Sequence, residues 1–116
     1  LTQYPDMVGI YSNADCMTYG IAEAVAESDK TCGEDMFIVS IDGEGEMLEL
    51  IRQGKVSGSC SLFSYYMGEV AYEVCLRNFL GQDLPRGIFT PIGMIDKDNV
   101  DLDAGEIIGW EYPEFE

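Results

Sequence analysis

The sequence predicts an α/β domain, a three-layer sandwich built on a mostly parallel sheet. Three observations predict it. Short apolar runs alternate with stretches of helical periodicity in the order β-α-β-α-β-α-β, and such alternation gives parallel strands with helices packed on the sheet. Two of the runs, Val8-Gly9-Ile10-Tyr11 and Phe37-Ile38-Val39-Ser40-Ile41, break off at polar residues just before a helix begins. Open α/β sheets present polar groups to a ligand crevice in that way, and right-handed crossovers bring the strand ends to one edge. Finally, 116 residues, 47% of them apolar, suffice for one core, so the chain is a single domain or one piece of a larger one.

Taken in order, residues 1–4 read as the tail of a preceding helix, because proline, here Pro5, commonly follows a helix end. Residues 7–11 form the first strand. Asp15 is placed to cap a helix running to about residue 27, with Met17, Ile21, Ala24 and Val25 on one face. A polar loop over 28–35 leads to a second strand over 36–41. The second helix covers about 44–52, with Met47, Leu48, Leu50 and Ile51 as its apolar set and Gly54 as its stop. A third strand spans 56–62, weak by itself because Gly58 and three serines fall in it. The third helix runs from about 64 to 80, with Met67, Val70, Ala71, Val74 and Cys75 in one stripe and Gly81 at its end. After a turn at 82–87, residues 88–95 are extended, and Pro91 and Gly93 suit an edge or crossing strand. Residues 96–116 read as a solvated acidic tail with late aromatics at Trp110, Tyr112 and Phe115.

Composition excludes several functions. The formal charge of −16 repels phosphate backbones and argues against nucleic acid as a partner, while neutral ligands, cations and basic surfaces stay compatible with it. The absence of histidine removes Ser-His-Asp and Cys-His nucleophile systems and every His-containing zinc site. Cys16, Cys32, Cys60 and Cys75 match neither a CxxC redox pair nor a zinc ribbon and read as buried free thiols. No run approaches the roughly 18 to 20 apolar residues that span a bilayer. The acidic stretch from Asp96 fails the calcium-loop pattern, because Asp101 stands where glycine is needed. No metal, cofactor or catalytic residue is expected.

Asn13 and Asp42, at the two strand ends, are the candidate binding residues, with Ser12, Asp15 and Leu62 beside them. Asn offers a donor and an acceptor, and an ionised Asp accepts strongly, which suits both to hydroxyl groups. For Tyr11 and Phe63, core packing is favoured over stacking on a ligand ring. From the residues alone, a turn is the favoured reading of Asn13 and a helix cap that of Asp15, and Asp42-Gly43 is a common strand-to-helix turn. Asp42 with Glu44 or Glu46 can be cast as an acid/base pair, but their closeness at a helix start favours dipole complementarity.

Taken together, Tyr11-Ser12-Asn13-Ala14-Asp15-Cys16-Met17, Ile38-Val39-Ser40-Ile41-Asp42-Gly43 with Met47 through Lys55, Tyr65-Tyr66-Met67-Gly68, and residues 92–100 resemble, in order, the C-terminal part of ribose-binding-type sugar-binding proteins, the periplasmic binding protein type I family. The resemblance implies a two-lobed parent of which this sequence is the C-terminal part. Residues 1–62 would be βα units of the C-terminal lobe. Residues 63–87 would cross a hinge and give a helix to the other lobe, and 88–116 would return as a strand and the tail. It implies that Asn13 and Asp42 bind sugar hydroxyls, and that Leu62 stands where the family commonly has a hinge glutamine. The implied function is binding of a sugar-like ligand by hinge closure, in partnership with the membrane permease of an ABC importer. The implied location is periplasmic or extracellular, lipid-anchored in a Gram-positive source. A sensing domain of a Lac-repressor-like regulator or of a sensor kinase is the alternative, and a carboxylate-based enzyme is a further one. With the other lobe missing, the third helix is expected to fold back onto the sheet or to pair with a second copy, as a homodimer or by exchange of elements.

Overall fold

The computed structural model describes residues 1–113; Phe115 and the end of the acidic stretch lie outside the described residues. The elements run β1 (Gly9–Tyr11), α1 (Asp15–Ala26), β2 (Phe37–Asp42), α2 (Gly45–Arg52), β3 (Gly58–Ser61), α3 (Ser64–Phe79), β4 (Gly93–Asp96) and α4 (Ala104–Ile108). The sheet order is β1-β2-β3-β4. The first three strands are parallel, and β4 lies antiparallel to β3 at the edge. This is the predicted α/β class with a mostly parallel sheet. Among the described residues, no helix is long and apolar enough to cross a membrane.

Helices α1 and α2 cover one face of the sheet. Alternate residues and cross-strand partners share a face. Ile10, Ile38, Ser40, Ser59 and Ile95 therefore point one way, and Tyr11, Phe37, Val39, Cys60 and Met94 the other. The first set is packed on a core that includes Ala22 and Val25 of α1 and Met47 and Ile51 of α2. The second set is open: Tyr11 is 65% exposed, Phe37 49% and Met94 41%. Two right-handed crossovers stepping in one direction across a sheet put both helices on the same side. The described residues thus supply two layers, and the second face of the sheet stays uncovered.

Several local expectations are corrected. Residues 1–6 form turns rather than helix, with Tyr4 N–H donating to Leu1 C=O at 3.0 Å. The buried face of α1 is Asp15, Thr18, Ala22 and Val25, while Met17 is half exposed. Asp15 does not cap its own helix: the N-cap is Ala14, with no side-chain cap bond. The cysteines are free, but Cys16 and Cys75 are exposed and Cys32 and Cys60 only half-buried. The acidic tail is partly folded. Arg52 of α2 pairs with Asp101 at 2.9 Å, and Asp103 and Glu106 form a reciprocal capping box at the start of α4.

Helix α3 does not fold back onto the sheet. The molecule measures 59 × 25 × 20 Å and has a radius of gyration of 17.9 Å. A compact chain of this length would give about 13 Å. The expected stripe is instead flanked by the returning chain: Met67, Val70 and Val74 share a shallow cleft of about 400 Å³ with Pro85, Ile88 and Thr90. Of α3's residues only Val70 is fully buried.

Candidate functional site

The site begins where β1 and β2 end. Ser12 N–H donates to Val39 C=O at 2.9 Å, which carries the β1–β2 pairing one residue beyond the strand. The chain then leaves the sheet through a turn in which Ser12 Oγ donates to Ala14 C=O at 3.0 Å. Asn13 sits on that turn, exposed, and its side-chain amide has no partner among the described residues. Ser12 itself is buried. Because β1 and β2 are parallel neighbours, Asn13 and Asp42 lie at the same end of the sheet.

Asp42 closes β2 in an uncommon conformation, with φ +124°. Positive φ at a residue carrying a Cβ costs of order 1–3 kcal/mol and persists only where the surroundings impose it. Those surroundings are visible. Asp15 N–H donates to Asp42 Oδ2 at 3.2 Å, and Leu62 N–H to Asp42 C=O at 3.3 Å. The next residue, Gly43, has φ +74° and runs so close to β3 that a Cβ there would lie 2.4 Å from Ser61 Oγ. Leu62 is half-buried at the end of β3 and touches Asp42 through its backbone. Phe63 follows at φ +44° and leads into α3.

Asp15 is fully buried beneath this rim. Its Oδ1 accepts from Ser40 Oγ at 2.5 Å and Ser59 Oγ at 2.9 Å, and its Oδ2 accepts from Glu44 N–H at 2.8 Å. Ser59 Oγ in turn accepts from Gly43 N–H at 3.2 Å, and Thr18 Oγ1 shares a hydrogen bond with Ser40 Oγ at 2.9 Å. A buried carboxylate is tolerated when such donors satisfy it, and the N-terminus of α1 adds a favourable dipole. The carboxylate of Asp15 therefore faces the protein, while Asn13 and Asp42 face the rim. Ser40, Ser59 and Thr18 were missed by sequence reasoning. The signal was the polar side chains at positions where strand and helix periodicity calls for apolar ones. Above the network, Tyr19 Oη donates to Glu44 Oε2 at 3.3 Å. Its phenol is pushed up to about 12, first by burial, then by the negative charge of Glu44 and that hydrogen bond.

An open cleft of about 790 Å³ adjoins Asp42 and is lined by Ser61, Phe63, Tyr66, Leu48 and Asp103 among others. Asn13 does not line it, so the cleft lies to the α2 and α4 side of the rim. Tyr66 packs on Trp110 with ring centroids 4.7 Å apart, which ties the start of α3 to the chain after α4.

A mostly parallel α/β sheet with an amide and a carboxylate at one rim has the architecture of the open α/β class, in which polar groups at the strand ends face a crevice. Residues 1–83 match the family described as periplasmic binding protein domain, and the chain belongs to that family. No curated protein matches it at a significant level. Among solved structures, it resembles an ABC transporter periplasmic solute-binding protein from Actinobacillus succinogenes with bound D-allose, with TM-score 0.78 and 23% identity, over 86% of this chain and 34% of that one. An ABC transporter solute-binding protein from Agrobacterium vitis with bound D-fucose gives 0.78 and 21%, over 92% and 37%. A XylFII–LytSN complex gives 0.68 and 21%, over 84% and 33%. At these identities the likeness establishes the fold. The chain spans about a third of the length of the structures it matches.

Proposed function

We propose that this chain forms one wall of the binding site of a two-lobed solute-binding protein for a small, neutral, polyhydroxylated ligand of the sugar class. Asn13 and Asp42 grip ligand hydroxyls, and a second lobe closes over them by motion about a hinge at Leu62 and Phe63 and at the return through residues 88–95. The observation that carries this reading is the pairing of β1 with β2 in parallel, which brings Asn13 and Asp42 to one rim. The strained Asp42 backbone supports it, since such strain clusters at binding sites. Net charge −16 suits a neutral ligand better than a phosphorylated one. The bound D-allose and D-fucose of two structural relatives fit the same ligand class.

In this reading the protein works outside the cytoplasmic membrane and delivers its ligand to the permease of an ABC importer. A sensing role is the second reading. Its support is the likeness to a protein found in the XylFII–LytSN complex. A DNA-binding head or a membrane segment in the same reading frame would favour sensing.

The test is calorimetric titration of neutral hexoses and pentoses into the longer protein that carries this chain. One sugar is expected to bind, and Asn13→Ala and Asp42→Ala are each expected to weaken it about tenfold or more, the worth of a hydrogen bond to a charged or well-ordered group. No binding by any sugar, or unchanged affinity in both variants, would overturn the reading.

A further inference from the structure

We propose that Asp15 is the positioning residue of this site: it holds the β2–α2 loop, and through it the carboxylate of Asp42, in the geometry that receives the ligand. The inference rests on the sugar-binding reading and goes beyond it, because Asp15 is fully buried and has no surface to offer a ligand.

Asp15 reaches every part of the loop that matters. Its own N–H donates to Asp42 Oδ2, its Oδ2 accepts Glu44 N–H, and its Oδ1 holds the Ser59 hydroxyl that accepts Gly43 N–H. Of the three consecutive residues 42 to 44, Asp42 is held by the Asp15 backbone amide, while Gly43 (through Ser59) and Glu44 (directly) are tied to the Asp15 side chain. Those residues include the two positive-φ positions of the loop. A strained backbone reverts to an ordinary conformation unless it is over-determined, and here the bonds on Gly43 and Glu44 converge on the buried Asp15 carboxylate, next to the Asp15 and Leu62 amides that hold Asp42. The same bond fixes one oxygen of Asp42, which leaves Oδ1 without a protein donor among the described residues and open to a ligand hydroxyl. Fixing the acceptor before the ligand arrives removes an ordering cost from binding.

The experiment combines backbone amide exchange on this chain with sugar titration of the longer protein, for Asp15→Ala, Ser59→Ala and the control Val25→Ala. Val25 is buried at the far end of α1, so its truncation lowers stability without touching the loop. Ser59→Ala keeps the question open to measurement should Asp15→Ala fail to fold. Relative to the β2 amides, exchange at Gly43 and Glu44 is expected to rise about tenfold or more in the Asp15 and Ser59 variants and to stay level in the control. Sugar affinity is expected to fall by a similar factor in those two variants and to hold in Val25→Ala. Exchange at Gly43 and Glu44 that merely tracks the control, or a loosened loop with undiminished affinity, would overturn the role of Asp15. Absence of sugar binding by the unsubstituted protein would instead bring down the binding reading itself, whatever the exchange data.

Discussion

The backbone amide of Asp15 donates to the side-chain carboxylate of Asp42 at 3.2 Å, joining the first residue of α1 to the last residue of β2. A helix start is electropositive and its first amides have no partners within the helix. Asp42 satisfies one of them from outside, in place of the side-chain cap that α1 lacks. A local need of helix α1 and the orientation of the candidate ligand-binding carboxylate are therefore met by the same bond.

That arrangement makes Asp42 a place where stability and function oppose each other. Its φ of +124° is natural for glycine and costly for a residue with a Cβ. Both Asp42→Gly and Asp42→Ala lose the bond to Asp15, but only the glycine releases the strain. Asp42→Gly is expected to be more stable than Asp42→Ala by about 1 kcal/mol, the reverse of the usual order within a strand. Urea denaturation of the two variants measures the difference, and an alanine variant at least as stable as the glycine would refute it.

Gly43 carries a sharper constraint. Its φ is +74°, and an added Cβ would meet Ser61 Oγ at 2.4 Å and Ser61 Cα at 2.9 Å. Gly33 shares a positive φ of +85° but has open space around it. Gly33→Ala is expected to cost about 1 kcal/mol, the left-handed penalty alone. Gly43→Ala adds overpacking against backbone and is expected to cost about 3 kcal/mol or more. Thermal unfolding of the pair separates strain from collision; equal losses would mean that the approach of residue 43 to β3 is not tight.

Much of this was legible in the sequence, and the parts that were not have physical reasons. Helices α1 to α3 fall within a residue or two of their predicted bounds, because apolar spacing and the stops at Gly54 and Gly81 mark them. The face of α1 was misread because its buried stripe starts with two polar residues, Asp15 and Thr18, that serve a hydrogen-bond network and not an apolar core. Asn13 and Asp42 could be placed at one rim because parallel pairing follows from alternation. Asp15 could not be separated from them by pattern alone, since a carboxylate facing inward and one facing outward look the same in a sequence. Helix α4 was hidden in an acidic run, although Asp103 and Glu106 stand at the capping-box spacing. The open face of the sheet followed from strand order, which no single-chain pattern records.

Tyr19 gives the alkaline limb of stability a specific origin. Its folded pKa is about 12 against an ordinary value of 10.0. A raised folded value means that between about pH 10 and about pH 12 the unfolded chain loses this proton while the folded chain keeps it. The unfolded state then binds fewer protons, so stability falls as pH rises through that window, while below it the contribution of this group is fully present and independent of pH. Tyr19→Phe is expected to change stability at pH 7 by no more than about 1 kcal/mol, the worth of one exposed hydrogen bond to Glu44. Its urea midpoint should decline less steeply than that of the unsubstituted chain above about pH 10. Parallel declines would show that Tyr19 ionises alike in both states.

The uncovered face of the sheet sets the solution behaviour of this chain by itself. Tyr11, Phe37 and Met94 share that face and are exposed. Contiguous apolar surface of this kind binds apolar probes and drives association, and β1 adds an unpaired edge on its outer side. The charge of −16 opposes association at low salt and is screened as salt rises. The 116-residue chain is therefore expected to bind a hydrophobic dye and to self-associate more strongly in high salt, as seen by sedimentation. Phe37→Ser together with Met94→Ser should weaken both signals, while leaving unfolding free energy within about 0.5 kcal/mol per substitution, as expected where a side chain is exposed. An equivalent double change on α3, Tyr72→Ser with Phe79→Ser, distinguishes the surfaces, because those residues are exposed on the projecting helix instead. If the α3 variant abolishes association and the sheet variant does not, the contact runs through α3 and the open face of the sheet is not what brings copies together.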